Sequence, residues 1–274
     1  MLEKNEIIQS ALRNLKIEEL NPMQRASLEQ ATGKQDVILL SPTGSGKTLA
    51  YLLPLLLTLK PNVTLKPNDN NVQALILVPS RELALQIDSV FKTMGTSWKT
   101  CCCYGGHPIA EEKKSIQGNY PAIIIGTPGR ITDHLSKGNF NPDTIETLII
   151  DEFDKSLEFG FHDEMAEIIT RLPRLKKRML LSATDAEEIP DFTGLSRTVK
   201  LNFLPDASEG QESRLTLMKV LSPVKDKIET LYTLLCTLGS SSSIVFCNHR
   251  DAVDRVQKLL VDRKLFAERF HGGM

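Results

Sequence analysis

The chain lacks any paired Cys-x-x-Cys spacing. Its five cysteines, three of them adjacent at Cys101-Cys102-Cys103, make neither a disulfide framework nor a zinc-ligand pattern. That excludes a disulfide-stapled module and a structural zinc domain, and predicts ordinary buried thiols in a reducing compartment. A net field is lacking too: 33 Lys plus Arg against 34 Asp plus Glu leave a formal charge of −1. Attraction for a polyanion would have to come from a local arrangement of charge. The N-terminus, Met1-Leu2-Glu3-Lys4-Asn5-Glu6, lacks the apolar core of a signal peptide. No apolar run reaches the roughly 20 residues that span a bilayer. The greasiest segment, 49–59, contains Pro54 and is predicted to be a buried helix. These absences together predict a cytoplasmic protein with no membrane partner.

What is present is organised around Ser41-Pro42-Thr43-Gly44-Ser45-Gly46-Lys47-Thr48. An apolar run, Val37 to Leu40, precedes it and a helical pattern follows, which is the setting of a phosphate-binding loop between a strand and a helix. Gly44 and Gly46 permit backbone conformations closed to other residues and let main-chain N–H groups approach phosphate oxygens. The helix from about Lys47 adds its unpaired N-terminal donors. Lys47 supplies a point charge for the β and γ phosphates, and the Thr48 hydroxyl is a ligand for Mg²⁺. The general pattern expects Gly where this chain has Ser41.

Helical spacing marks 6–16 and 23–32, with Asn21-Pro22 as the break that starts the second. Residues 60–72, rich in Pro and Asn, read as a loop. Apolar runs at 74–78, 122–125, 147–150, 178–181 and 242–246 then alternate with amphipathic stretches, among them 81–91 and 225–238. Alternation of this kind predicts an α/β fold: parallel strands flanked by helices on both faces. Length favours two domains. The first is expected over 1–201, a linker over 202–213, where turn residues and acids replace periodicity, and a shortened second domain over 214–274. The basic run 171–178 is expected to be a solvated connection.

A second chemical signal is Ile149-Ile150-Asp151-Glu152-Phe153-Asp154. Acids that follow a buried strand lie at the edge where open parallel sheets collect ligands. Asp151 is the candidate metal carboxylate and Glu152 the candidate general base for an attacking water.

With Pro79-Ser80-Arg81-Glu82-Leu83-Ala84, Gly105-Gly106, Thr127-Pro128-Gly129-Arg130 and Ser182-Ala183-Thr184, the chain resembles the DEAD-box ATP-dependent RNA helicases over nearly its full length. Asp151 to Asp154 stands where that family has D-E-A-D, with Phe153 in place of the small alanine. The resemblance implies a RecA-like P-loop NTPase fold with a truncated second RecA-like domain. It implies ATP and Mg²⁺ as cofactors, a monomer, and RNA held by its phosphates without regard to sequence.

By the same resemblance, Pro79, Ser80, Arg81, Gly105, Gly106, Thr127, Pro128, Gly129 and Arg130 contact RNA. Ser182 and Thr184 link the nucleotide site to RNA-dependent closure, and Gln24 reads adenine. The family's upstream aromatic stacker on the base is absent; Ile7 or Ile8 stands nearby. Phe246 and Asn248 to Arg250 resemble the start of the family's second domain. The arginines that complete hydrolysis near the end of that domain are not in the sequence, so this chain is expected to bind nucleotide and hydrolyse it poorly. A DNA helicase or translocase of the same superfamily, and a non-hydrolysing nucleotide-dependent RNA clamp or scaffold, are the alternatives.

Overall fold

The computed structural model describes residues 5–30, 33–60, 72–185, 189–205 and 216–272. The chain divides into two compact units, Met1–Glu209 and Gly210–Met274. The expected linker, 202–213, lies largely outside the described residues.

The first unit opens with α1 (Glu6–Asn14) and α2 (Pro22–Glu29). Pro22 occupies the first turn of α2, where its missing N–H is no loss. Asn21 and Gln24 form a capping box, each side chain accepting from the other's backbone N–H. Strands β1 (Asp36–Leu40), β2 (Ala74–Leu77), β3 (Thr100–Cys103), β4 (Ile123–Gly126), β5 (Thr147–Ile150), β6 (Lys177–Ser182) and β7 (Thr198–Asn202) follow. They pair in the order β3-β4-β2-β5-β6-β1-β7, and every pairing is parallel. Parallel neighbours require crossovers, supplied mainly by α3 (Lys47–Thr58), α4 (Arg81–Thr93), α5 (Ile109–Asn119), α6 (Pro128–Ser136), α7 (Phe153–Glu158) and α8 (His162–Thr170).

Because strand side chains alternate, the sheet feeds two separate cores. Ala74 and Ile76 of β2 join the cluster packed by α1 to α4, whereas Leu75 and Leu77 join the cluster packed by α5 to α8. Burial on both faces explains why the central strands read as unbroken apolar runs.

The buried helix expected over 49–59 is α3, which buries Leu49 to Leu56 in succession. Pro54 lies within it and has no N–H to give the carbonyl of Ala50 four residues earlier. The hydroxyl of Ser27 on α2 donates to that carbonyl instead. A helix break is thereby converted into an interhelical tie.

Two strands escape the pattern read from the sequence. Thr100-Cys101-Cys102-Cys103 and Thr198 to Asn202 form β3 and β7, both at sheet edges, where a short strand with one partner needs no long apolar run. The thiols are free, but only Cys101 and Cys103 are buried; Cys102 and Cys247 are half-buried and Cys236 is exposed. Of the basic run, Arg171, Arg174 and Lys176 are exposed as expected, whereas Lys177 and Arg178 lie within β6.

In the second unit the described residues form α9 (Ile228–Leu238) and α10 (Arg250–Asp262). The expected strand over 242–246 is not formed, and Ile244 and Phe246 are 82% and 91% exposed. A strand cannot satisfy its own backbone groups, and no other strand is found among the described residues of this unit to pair with it. No helix among the described residues is long and apolar enough to cross a membrane.

Candidate functional site

Every motif singled out in the first unit after α2 follows the carboxyl end of a strand. Residues 41–48 leave β1, 151–154 leave β5 and 182–184 close β6; 79–81 leave β2, 105–106 leave β3 and 127–130 leave β4. In the sheet, β5, β6 and β1 are consecutive, and so are β3, β4 and β2. The motifs expected to bind a triphosphate therefore share one half of the edge, and those expected to contact RNA share the other.

In the first half, Gly44 and Gly46 have φ of 80° and 89°, the left-handed region that L side chains rarely adopt. Gly46 caps α3 with no side-chain hydrogen bond, so the first N–H groups of a 12-residue helix are left for an anion. A Cβ at Gly46 would fall 2.7 Å from Nε2 of Gln24. Gln24 donates from Nε2 to the Gly46 carbonyl (3.2 Å) and Asn21 donates from Nδ2 to the Ser45 carbonyl (3.0 Å), so the cap of α2 grips the loop. The hydroxyl of Ser41 donates to that of Ser45 (2.7 Å). The Lys47 ammonium donates to the carbonyls of Ser41 (2.6 Å) and Pro42 (3.0 Å). Burial pushes this ammonium below its ordinary pKa, while Asp151, Asp154 and Glu152 pull the other way.

Asp151 is 3% exposed. Its Oδ1 accepts from the Glu152 N–H (2.9 Å) and its Oδ2 from the phenol of Tyr51 (3.1 Å). Burial pushes its carboxyl up to about 6, against the downward pull of these two hydrogen bonds and of Lys47. Glu152 has φ 49°, a strained value for a side chain that is not glycine, and Lys155 donates to its Oε1 (2.9 Å). A hydroxyl at Thr48 and a buried carboxylate short of positive charge are the hard oxygen donors that suit Mg²⁺.

Asp154 and Tyr51, to which no site role was assigned from the sequence, complete this half. Asp154 Oδ2 accepts from the Ala183 N–H (3.2 Å) and the Thr184 hydroxyl (2.9 Å). The Ser182 hydroxyl donates to the Thr184 carbonyl (2.5 Å) and accepts from the Thr184 N–H (3.1 Å). Burial works upward on Asp154, but hydrogen bonds from Thr184, Lys155 and Ala183 hold it below the usual carboxylate range. The acidic segment and 182–184 are thus one unit. Only tertiary contact reveals it; the spacing from Asp154 to Thr184 carries no signal. Phe153 is buried in the second core.

In the other half, Ser80 caps α4, accepting from the Leu83 N–H (3.2 Å), and Pro79 is buried behind it. The Arg81 guanidinium lies 5.1 Å from the centroid of the Tyr104 ring, rather than in an ion pair with its neighbour Glu82. Gly105 and Gly106 are exposed. Thr127 and Pro128 open α6 with no side-chain cap bond, and Gly129 is exposed. Arg130 donates from Nη2 to the His107 carbonyl (2.8 Å).

Residues 21–192 match the family described as DEAD/DEAH box helicase. The chain is 31% identical over 258 residues to the DEAD-box ATP-dependent RNA helicase RhpA of Helicobacter pylori, covering 93% of this chain and 50% of RhpA. It is 30% identical over 279 residues to the ATP-dependent RNA helicase CshA of Listeria monocytogenes, covering 98% of this chain and 51% of CshA. The chain spans about half the length of these curated relatives. Among solved structures, the DEAD-box helicase Mss116 bound to ssRNA and UDP-BeF superposes with a TM-score of 0.63 at 25% identity, covering 72% of this chain and 43% of that one. A DEAD box protein from the hyperthermophile Methanococcus jannaschii shares the fold with a TM-score of 0.67 at 24% identity, covering 98% of this chain and 71% of that one. The architecture is the RecA-like α/β one, and with a family match across more than half its length the chain belongs to the DEAD/DEAH box helicases.

Proposed function

We propose that this chain is the ATP-binding RecA-like domain, with the beginning of a second RecA-like domain, of an ATP-dependent RNA helicase. The observation that carries the reading is the division of one sheet edge: triphosphate motifs after β1, β5 and β6, and motifs suited to a phosphodiester backbone after β2, β3 and β4. Consecutive loops on one rigid sheet can couple two ligands.

The N–H groups at the start of α3 and the Lys47 ammonium hold the phosphates of ATP, and Gln24, packed against the loop, reads the adenine edge. Thr48 and Asp151 would hold Mg²⁺, which would supply positive charge to offset that of the triphosphate. Glu152 takes a proton from the water that attacks the γ-phosphorus, and the bond to the ADP oxygen breaks with its electrons on ADP. Asp154, Ser182 and Thr184 tie the acidic segment to β6, so that a change at the γ-phosphate reaches the neighbouring strands. Arg81 and Arg130 with the N–H groups of Gly105, Gly106 and Gly129 hold RNA phosphates, which makes binding indifferent to sequence.

Arginines from a complete second domain finish the hydrolysis site, so this chain alone binds nucleotide and turns it over slowly. The test is ATP hydrolysis, with and without single-stranded RNA, by this chain and by one extended through a complete second domain. RNA-stimulated turnover by the extended chain alone is expected. Robust stimulated turnover by the short chain would refute the dependence on a second domain, and none from either would remove the helicase reading. The cytoplasmic location and the monomeric state belong to the same proposal.

A further inference from the structure

The diglycine turn at 105–106 is held at both ends by a single oxygen atom. Oε1 of Glu112, on α5, accepts from the Tyr104 N–H (2.8 Å) and from Nε2 of His107 (2.9 Å), the residues immediately before and after the glycines. The other oxygen, Oε2, lies 2.6 Å from Nε2 of His134 on α6 and 3.7 Å from Nη1 of Arg130. The Glu112 side chain is 2% exposed and His134 is fully buried. Asn139 Nδ2 is 2.9 Å from His134 Nδ1; an amide N–H pointing at Nδ1 places the imidazole hydrogen on Nε2, where it donates to Glu112.

The network reaches further on each side. The Tyr104 ring meets His107 edge to face, with centroids 4.7 Å apart, and lies beneath the Arg81 guanidinium. Arg130 in turn donates to the His107 carbonyl. One carboxylate therefore joins the loops after β2, β3 and β4, which share no covalent neighbour. Cys103 also brings its Sγ within 4.8 Å of the ligand atoms of Glu112 and His134. Its hydrogen bond with Cys101 and its burial push this thiol up, which favours the protonated form.

We propose that Glu112 is the positioning residue of the RNA cradle, setting Arg81, the diglycine turn and Arg130 at the separations a phosphodiester backbone requires. This rests on the RNA-binding reading above. A buried carboxylate is stable only with several donors, and here the donors come from the segments that must be aligned. Glutamine has the same size but an NH₂ donor in place of one acceptor oxygen, so Glu112→Gln takes the acceptor away from either the turn or α6.

The experiment is titration of a fluorescein-labelled single-stranded oligouridine into this chain, over a range of salt concentrations, with nucleotide affinity measured in parallel. For Glu112→Gln we expect RNA affinity to fall about tenfold or more and the salt slope of log K to shrink by about 1, one phosphate contact being lost. Nucleotide affinity should stay within about twofold, because the loop after β1 lies in the other half of the edge. His107→Ala removes one partly exposed tie without opening the core and should show the same signature in weaker form. Unchanged RNA affinity and slope in both variants, or parallel loss of RNA and nucleotide, would overturn the proposal. If the unaltered chain binds no RNA with or without nucleotide, the RNA-binding reading itself falls, and the proposal with it.

Discussion

The phenol of Tyr51 donates to Oδ2 of Asp151 across 3.1 Å, joining the second turn of α3 to the acidic segment after β5. Both groups are buried, and each acts on the other. Burial and the nearby carboxylate push the Tyr51 hydroxyl well above its ordinary pKa, keeping it a donor, while its hydrogen bond pulls Asp151 down towards ionisation.

Replacing Tyr51 with Phe removes that donor and keeps the ring. The Asp151 carboxyl then rises above its value of about 6, and less of it is ionised at neutral pH. A hydrogen bond to a charged group is worth about 1.5–3 kcal/mol. Mg²⁺-dependent nucleotide affinity should therefore fall in Tyr51→Phe, more at pH 6.5 than at pH 8.5. Affinity profiles that superpose with those of the parent would show that the phenol does not tune Asp151.

The raised value of Asp151 also has a stability consequence whose sign is opposite to the common one for acids. Between the ordinary carboxylate pKa of 3.8 and the folded value of about 6, the folded chain binds more protons than the unfolded one. Stability falls as pH rises through that window and stays lower above it. Asp151→Asn should thus raise the Tm at pH 8 by a few degrees, with the gain shrinking as the pH falls to 5, while Mg²⁺-dependent nucleotide binding is lost. Thermal unfolding across pH checks this. A lower Tm at pH 8 would mean that the hydrogen bonds to the carboxylate outweigh its burial.

The Ser27 hydroxyl and Pro54 should behave as a coupled pair. Ser27→Ala leaves the Ala50 carbonyl buried without its donor, at about 1–3 kcal/mol. In a Pro54→Ala background the restored N–H serves that carbonyl, and the same serine change should cost much less. Denaturant unfolding of both single variants and the double variant measures the coupling. Additive effects would refute the tie.

Phe153 stands where the family's D-E-A-D has a small alanine, yet here its ring is 2% exposed within the second core. Phe153→Ala, the change toward the family pattern, should destabilise the domain by about 3–5 kcal/mol through the cavity it leaves. Chemical denaturation would detect it. A neutral result would mean that α7 collapses into the space.

Much of this was legible in the chain itself. The central strands announce themselves because burial on both faces demands apolar residues throughout, and β1, β2, β4, β5 and β6 lie where the apolar runs do. Edge strands carry no such demand, and the threonine and cysteines of β3 and the alternating residues of β7 went unread. The run at 242–246 has the composition of a strand, but pairing, which composition does not encode, is missing among the described residues.

Local chemistry is likewise written locally. The glycines before Lys47, the Asn21-Pro22 start of α2 and the acids after β5 each follow from steric and hydrogen-bonding rules acting within a few residues. What only the tertiary structure decided is which of these segments meet. The crossovers place β5, β6 and β1 side by side, so that Asp154 reaches Thr184 and Tyr51 reaches Asp151. Glu112 has the sequence appearance of one more acid on a helix face. Folding removes it from water, and its need for donors then draws Tyr104, His107 and His134 together around it. The sequence by itself determined the chemical groups and their local conformations, because sterics and backbone hydrogen bonding act at short range. Their partners were decided by the order of strands and by desolvation, both of which act across the whole domain.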